Sequence, residues 1–181
     1  MISKGTVQSY EKNKASRPLI VSYSYSGNTH QVAQEIQRAT GGRWCEIHPW
    51  QPYPMAFPEL LEQVKREIQS GYHPRLLPGT CSPRPYRVIF VGSPNWCGTI
   101  APPLASWLYK NDLDGKIILP FYSHCGGATG DLRGDIAKLC PKTDVREALS
   151  VIDDGGDDLM RILRKWFIRT GIADDQVIFS G

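Results

Sequence analysis

The stretch from Leu19 to Thr29, which reads LIVSYSYSGNT, constrains the fold more than any other part of the chain. A short apolar run stops abruptly at small hydroxyl residues, a Gly and an Asn, and a helical pattern begins at His30. This order predicts a buried strand, a tight loop and then a helix. Because a helix N-terminus presents unpaired N–H groups and a partial positive charge, the loop suits an anion such as a phosphate.

The donors that this loop offers are uncharged. Ser24, Ser26 and Thr29 supply hydroxyls, and Gly27 lets the backbone approach a ligand closely. No Lys or Arg occurs between residues 19 and 37. The loop follows neither the P-loop pattern nor the glycine pattern of dinucleotide-binding folds. The sequence therefore predicts an anion site built from neutral groups.

Apolar runs alternate with helical patterns along the rest of the chain. Five predicted strands separated by helices imply a parallel sheet with right-handed crossovers and helices on both faces. We therefore predict an α/β fold of the doubly wound type, which binds ligands beyond the carboxyl ends of its strands. The predicted strands are Leu19–Tyr23, Trp44–His48, Arg87–Val91, Lys116–Tyr122 and Asp144–Val151. The predicted helices are Thr29–Ala39, one that begins near Pro58 and ends at Gly71, Ala101–Tyr109, Leu132–Leu139 and a last helix capped by Asp157.

The length of 181 residues suits one α/β domain. We expect a flexible basic tail over residues 1–17, a folded domain over 18–171 and a C-terminal tail over 172–181. The first tail carries four basic residues against one acid, so it holds the whole formal net charge of +3. A nucleic-acid-binding protein needs a basic face on its folded part, and we therefore predict no nucleic-acid partner. Residues 49–85 contain eight prolines and are expected to form a surface excursion between the second and third strands.

Cysteine usage and hydropathy suggest where the chain works. No apolar run is long enough for a membrane span, and the N-terminus lacks the apolar segment of a secretory signal, so we expect a cytoplasmic protein without a membrane partner. The cysteines show neither the C-x-x-C pattern nor zinc-site spacing. An odd number of cysteines in a cytoplasmic chain favours free thiols. The five cysteines are Cys45, Cys81, Cys97, Cys125 and Cys140.

Three loops, each following a predicted strand, resemble those of the flavodoxins. Residues 24–29 (SYSGNT) match the flavodoxin phosphate loop, T/S-x-T/S-G-N-T. Residues 92–103 (GSPNWCGTIAPP) and 121–127 (FYSHCGG) resemble the corresponding loops of a bacterial subfamily of flavodoxin-like proteins. This resemblance implies a flavodoxin-like five-stranded parallel sheet with strand order 2-1-3-4-5, and FMN as the cofactor.

The resemblance also implies roles for many of the loop residues. The first loop would bind the phosphate with a further donor from His30, Trp96 would stack on the flavin ring, and Pro94 and Thr99 would shape the turn. Backbone groups of both later loops would meet the ring edge, while Asp131 is expected to cap the following helix. The residues expected to bind FMN are Ser24, Ser26, Gly27, Asn28, Thr29, His30, Ser93, Pro94, Asn95, Trp96, Cys97, Gly98, Thr99, His124, Cys125, Gly126 and Gly127.

By this resemblance the chain is an electron-transfer protein that shuttles one or two electrons between transient redox protein partners. The carbonyl between Cys97 and Gly98 could rotate towards the flavin, since positive φ is open to glycine. An alternative is an NAD(P)H-dependent FMN reductase acting on quinone-like acceptors, and a third possibility is a binding module that has lost its flavin. Cys97 and Cys125 could form a redox pair or simply line the cleft.

Overall fold

A parallel sheet organises the fold in the computed structural model, which describes residues 17–127 and 130–172. Strand β1 (Leu19–Ser22) lies between β2 (Arg43–Glu46) and β3 (Val88–Trp96), and β5 (Ile117–His124) pairs with the far side of β3. The strand β4 (Thr99–Ile100) pairs antiparallel with the end of β3. Most of both predicted tails lies outside the described residues.

The predicted fifth strand is present in two pieces. Strand β6 (Asp144–Val145) pairs with the start of β5, and β7 (Leu149–Ile152) pairs with its end. The three residues between the pieces leave the ladder, although the Arg146 amide still donates to the Ile118 carbonyl at 2.9 Å. With both pieces beside β5, the predicted order 2-1-3-4-5 and the doubly wound fold are confirmed.

In the part of the chain that the structure describes, five α-helices pack against the sheet, as the periodicity predicts. Glycines with positive φ end the first two, where Gly41 has φ 61° and Gly71 has φ 63°. Within the described part of the chain, no helix combines the length and apolarity that a membrane crossing requires. The helices are α1 (Asn28–Thr40), α2 (Phe57–Ser70), α3 (Pro102–Lys110), α4 (Leu132–Leu139) and α5 (Leu159–Thr170).

The two predicted helix caps have different outcomes. Asp131 caps α4, since its Oδ1 accepts a hydrogen bond from the Gly134 amide at 2.9 Å. The prediction that Asp157 caps the last helix is wrong. Asp157 lies inside a 3₁₀ turn, Gly156–Asp158, and α5 begins two residues later with no side-chain cap. The turn continues into the helix, so its amides need no side-chain acceptor at that point.

The sheet carries one apolar core on each face. Alternate residues of β3 point to opposite sides, so Ile89 and Val91 join one core while Phe90 joins the other. Helices α2, α3 and α4 cover the first core, and α1 and α5 cover the second. In the second core the Phe90 ring packs edge-on against Trp166 at 5.6 Å. Helices on both faces are thereby confirmed.

The proline-rich excursion is tied to the edge of the sheet. The Trp50 amide donates to the Arg75 carbonyl at 2.7 Å, and the Leu77 amide donates to the His48 carbonyl at 2.9 Å. A disulfide joins Cys45 on β2 to Cys81. The expectation of five free thiols is therefore wrong, because sequence spacing does not reveal that the excursion folds back beside β2.

We predict that this disulfide contributes substantially to stability. Closing a loop of 36 residues restricts the unfolded chain, and the chain-entropy model gives about 4 kcal/mol for that length. A Cys45→Ala/Cys81→Ala variant should therefore unfold at lower urea concentration than the oxidised wild type. Dithiothreitol should lower wild-type stability to the same level and leave the variant unchanged. A wild type insensitive to reductant would contradict this.

We also predict that Gly92 cannot be enlarged. It lies opposite Phe121 in the β3–β5 register, and a Cβ at this position would lie 2.2 Å from Phe121 Cζ. Gly92→Ala should lower the free energy of unfolding by about 1–3 kcal/mol, as overpacking does. Urea denaturation measures the loss, and adding Phe121→Leu should recover part of it. Unchanged stability in the single variant would show that the ring moves freely.

Candidate functional site

A cavity of about 470 Å³ opens at the carboxyl ends of β1, β3 and β5. This volume is typical of small-molecule sites. Among residues 17–127 and 130–172, no Lys, Arg, Asp or Glu lines it. Loops after all three strands contribute, together with the start of α2. The lining residues are Tyr25, Ser26, Asn28, Phe57, Leu60, Pro94, Asn95, Trp96, Cys97, Gly98, Ser123, His124, Cys125, Gly126 and Gly127.

Ser24 organises the first loop rather than lining the cavity. Its Oγ accepts hydrogen bonds from the amides of Gly27 at 3.2 Å and His30 at 3.1 Å. Gly27 has φ 96°, which lets the chain turn sharply into α1. Among the described residues, no protein acceptor is recorded for the Asn28 and Thr29 amides. These amides lie in the first turn of α1, where an anion would find them free to donate.

The side chains of Thr29 and His30 are occupied by the protein. Thr29 is buried, and its Oγ1 lies 2.7 Å from Ser123 Oγ in a hydrogen bond that joins the first loop to β5. The His30 ring packs against Trp44 at 4.6 Å, and its Nδ1 lies 3.1 Å from Glu46 Oε1. Neither residue is among those that line the cavity, so the structure gives their side chains a supporting position.

Three tyrosines surround Trp96 on the cavity wall. The Trp96 ring meets those of Tyr53, Tyr23 and Tyr25 edge-on, with centroid distances of 4.9, 5.5 and 5.8 Å. The Tyr25 hydroxyl donates to the Pro54 carbonyl at 2.6 Å, and the Tyr53 hydroxyl donates to Glu67 Oε2. Edge-to-face contacts of this kind fix ring orientation. Trp96 is therefore held at a set angle beside the cavity.

Tyr23 and Tyr53, the two buried tyrosines that pack against Trp96, stay neutral. Burial raises the pKa of Tyr53 far above its ordinary value, and the hydrogen bond to Glu67 and the charge of Glu67 raise it further. Burial is also the main cause that raises the pKa of Tyr23, followed by Tyr25 and Glu67. The two phenols that pack behind Trp96 are therefore protonated and uncharged at neutral pH.

The segment after β3 folds as a short hairpin with β4. Trp96 pairs with Thr99, and the two residues between them both have positive φ, 54° at Cys97 and 85° at Gly98. Such a turn is favourable for Gly but costs about 1 kcal/mol for an ordinary residue. Of the two residues that flank the Cys97–Gly98 peptide, only Gly98 can therefore adopt positive φ without strain. Any rotation must also be accommodated by Cys97.

The hairpin is held in shape by side-chain hydrogen bonds. Asn95 Oδ1 accepts from the Gly98 amide at 3.0 Å, and Thr99 Oγ1 donates to Asp135 at 2.7 Å. Ser93 is buried, and its Oγ accepts from the Ala101 amide at 2.8 Å. Ser93 and Thr99, both predicted as site residues, thus fix the shape of the turn and do not line the cavity.

The glycine-rich segment after β5 forms the opposite wall. The Gly126 amide donates to His124 Nδ1 at 3.0 Å, and this hydrogen bond holds the turn after β5 in shape. The two walls meet at Gly130, where a Cβ would lie 1.7 Å from the Gly98 carbonyl oxygen. Only glycine permits this approach of the two loops.

The sequence did not identify four of the lining residues. Tyr25 lies within the recognised loop, but its side chain was not expected to face the ligand. Ser123 lies one residue before the end of β5, and Phe57 and Leu60 come from α2. No motif marks the α2 residues, because their position depends on how the proline-rich excursion folds back over the strand ends. The excursion therefore supplies part of the cavity wall.

Three cysteines are free, and two of them face the cavity. Cys97 and Cys125 are exposed on the two facing loops, whereas Cys140 is buried at the end of α4. Burial raises the pKa of the Cys140 thiol from its ordinary 9.0 to about 11. Since the thiolate is the reactive form, Cys140 should be inert at neutral pH.

We predict a clear order of thiol reactivity. At pH 8, iodoacetamide should modify Cys97 and Cys125, while only about one Cys140 in a thousand is ionised. Stability should fall as pH rises from 9 towards 11, because the Cys140 thiol ionises in the unfolded chain first. Peptide mass spectrometry measures the labelling. Cys140→Ala should remove this part of the alkaline loss, and rapid labelling of Cys140 at pH 8 would contradict its burial.

Comparisons with solved structures agree with this geometry. The fold is similar to a protein of Bacteroides eggerthii DSM 20697, with a TM-score of 0.77, 23% identity and coverage of 87% of this chain and 99% of that one. A Lactobacillus acidophilus NCFM flavoprotein in complex with FMN gives 0.66, 20% identity and coverage of 83% and 98%. Oxidised flavodoxin 2 from Bacillus cereus gives 0.54, 17% identity and coverage of 87% and 100%.

A family model described as flavodoxin matches residues 17–167. No protein with a curated description matches the chain. The family match spans most of the chain, and the strand order and the cavity at the strand ends agree with it. The chain belongs to the flavodoxin family, as the resemblance of its three loops suggests.

Proposed function

We propose that this chain binds FMN in the cavity at the strand ends and transfers electrons between redox partners. One observation carries the proposal. Three non-adjacent loops enclose one cavity that has free helix-start amides at one side and an oriented tryptophan in its wall. These are an anion site and a stacking surface, which a flavin mononucleotide requires together. The relative from L. acidophilus binds FMN on the same fold.

The residues present fit this cofactor in our proposal. Ser26, Asn28 and the free amides of α1 would receive the phosphate without a cation. Trp96 would cover one face of the ring, and the backbone of both facing loops would meet its polar edge. The side chains of Ser24, Thr29, His30, Ser93 and Thr99 would support this arrangement through the hydrogen bonds described above.

FMN would supply the redox chemistry, since flavins accept one or two electrons. The protein would set the ring's position and surroundings. Among the described residues that line the cavity, none carries a carboxylate that would repel a reduced, anionic ring. The open mouth of the cavity, where Cys97 and Cys125 are exposed, would leave the ring edge accessible to protein partners.

An NAD(P)H-dependent reductase of quinone-like acceptors is the second candidate. An apolar groove of about 200 Å³ adjoins the cavity and shares Trp96, Phe57 and Cys97 with it. Leu61 and Val64 of α2 complete the groove. Such a surface suits a planar, uncharged acceptor beside the flavin, which an electron carrier does not need.

We further propose that the functional unit is the domain over residues 18–171 and that it works in the cytoplasm. The Cys45–Cys81 disulfide makes the second point testable, because structural disulfides are rare in that compartment. Rapid alkylation of intact cells, followed by mass spectrometry, should find these two cysteines reduced if the protein is cytoplasmic. An oxidised pair would favour another compartment.

Titration with FMN tests the proposed cofactor. The apoprotein should quench FMN fluorescence on binding, and Trp96→Leu should weaken binding about tenfold, because an aromatic contact contributes about 1 kcal/mol or more. Trp50→Leu is the matched control, since Trp50 is exposed, stacks on Arg75 and does not line the cavity. FMN should also protect Cys97 and Cys125 from alkylation. Absence of binding, or equal loss in both variants, would refute the site.

Stepwise reduction of the loaded protein separates the two functions. An electron carrier should accumulate a one-electron-reduced form and oxidise NAD(P)H slowly without a partner. A reductase should oxidise NAD(P)H at once in the presence of a naphthoquinone. In that case Leu61→Asp, which places a charge in the groove at a partly exposed residue that does not line the main cavity, should raise the KM for the quinone and leave FMN affinity unchanged.

A further inference from the structure

Glu67 is a buried carboxylate whose partners are neutral. It is 9% exposed, and it accepts hydrogen bonds from the Tyr53 hydroxyl and from Gln63 Nε2, the latter at 2.8 Å. Among residues 17–127 and 130–172, no ion pair to Glu67 is recorded. Burying a carboxylate without a cation is unfavourable unless hydrogen bonds compensate. Residues that break the usual rules of burial are candidates for a function.

Tyr53 connects this carboxylate to the cavity. Its ring meets Trp96 edge-on at 4.9 Å, which is the shortest of the three tyrosine contacts to Trp96. Trp96 in turn lines the cavity. A continuous series of contacts therefore runs from the cavity wall through Trp96 and Tyr53 to Glu67.

We propose that Trp96, Tyr53 and Glu67 form a route that removes an oxidising equivalent from the cavity wall. When a one-electron oxidant of the free-radical class takes an electron from Trp96, an electron from Tyr53 restores the indole. The Tyr53 O–H bond breaks in the same step, and its proton forms an O–H bond on Glu67. The products are neutral tryptophan, a neutral tyrosyl radical and a neutral carboxylic acid.

Charge balance favours this step in the protein interior. Before it, the indole carries +1 and the Glu67 carboxylate carries −1, and afterwards both groups are neutral. No net charge is created where the dielectric constant is low. The raised pKa of Tyr53 means that its phenol is protonated at neutral pH. The electron can therefore leave Tyr53 readily only if a base takes the proton, and the Glu67 oxygen is already hydrogen-bonded to it.

The other two tyrosines lack such a base. Tyr25 also meets Trp96 edge-on, but its hydroxyl donates to the carbonyl of Pro54, which does not accept a proton. For the Tyr23 hydroxyl, no hydrogen-bond acceptor is recorded among the described residues. The geometry therefore singles out Tyr53. The route uses protein groups alone and does not depend on FMN being the ligand.

Pulse radiolysis of the apoprotein tests the route, with the azide radical as the oxidant. The azide radical oxidises tryptophan, and transfer to tyrosine appears as loss of indolyl absorbance with growth of tyrosyl absorbance. Tyr53→Phe and Trp96→Phe should each remove most of the fast tyrosyl growth. Tyr25→Phe, the matched control, should leave it unchanged. Glu67→Gln should slow it severalfold and abolish its solvent deuterium isotope effect.

Several results would overturn the proposal. Equal loss of tyrosyl growth in the Tyr53→Phe and Tyr25→Phe variants would show that the route is not specific to Tyr53. An unchanged rate and isotope effect in Glu67→Gln would remove the carboxylate from it. Circular dichroism establishes that each variant folds. If a variant does not fold, the solvent deuterium isotope effect in the wild type still tests the proposal. Tyrosyl growth without such an effect would exclude coupled proton movement.

Discussion

The parallel ladder of β1, β3 and β5 is the constraint on which the remaining structure depends. Because these strands run in one direction, their carboxyl ends lie at one edge, and the loops that follow them must meet there. The Tyr23 amide donates to the Gly92 carbonyl at 3.0 Å just where the first loop begins. The buried hydrogen bond between Thr29 and Ser123 joins that loop to β5. Register and loop contacts together determine the dimensions of the cavity.

Local sequence patterns predicted the elements that are stabilised locally. The first strand and loop, the helix Leu132–Leu139 and its Asp131 cap follow from apolar periodicity and capping chemistry, and the structure contains them. The sequence did not predict the features that depend on packing between segments far apart in the chain. The disulfide between Cys45 and Cys81 depends on the return of the excursion to β2. The contribution of Phe57 to the cavity also depends on how the excursion folds back, and no sequence pattern predicts it.

The candidate site divides into a scaffold and a surface that faces the ligand. The sequence predicts Ser24 and Ser93 as ligand-binding residues, but their hydroxyls accept hydrogen bonds from backbone amides of the protein. The cavity surface consists instead of aromatic rings, glycine backbone and a few small polar groups. Loop motifs combine both kinds of residue, because a loop must hold its own shape before it can bind. A motif alone does not separate them.

The attachment of the proline-rich excursion to the sheet edge has a consequence for solubility. Strand β2 ends the sheet on one side, and an exposed edge strand offers unpaired amides and carbonyls to other chains. The segment carrying Arg75 and Leu77 pairs with the backbone just beyond β2, and Cys81 fastens that segment covalently. Cutting the sulfur bridge would loosen this cover. Intermolecular strand pairing, and hence aggregation, would then begin at this border of the sheet.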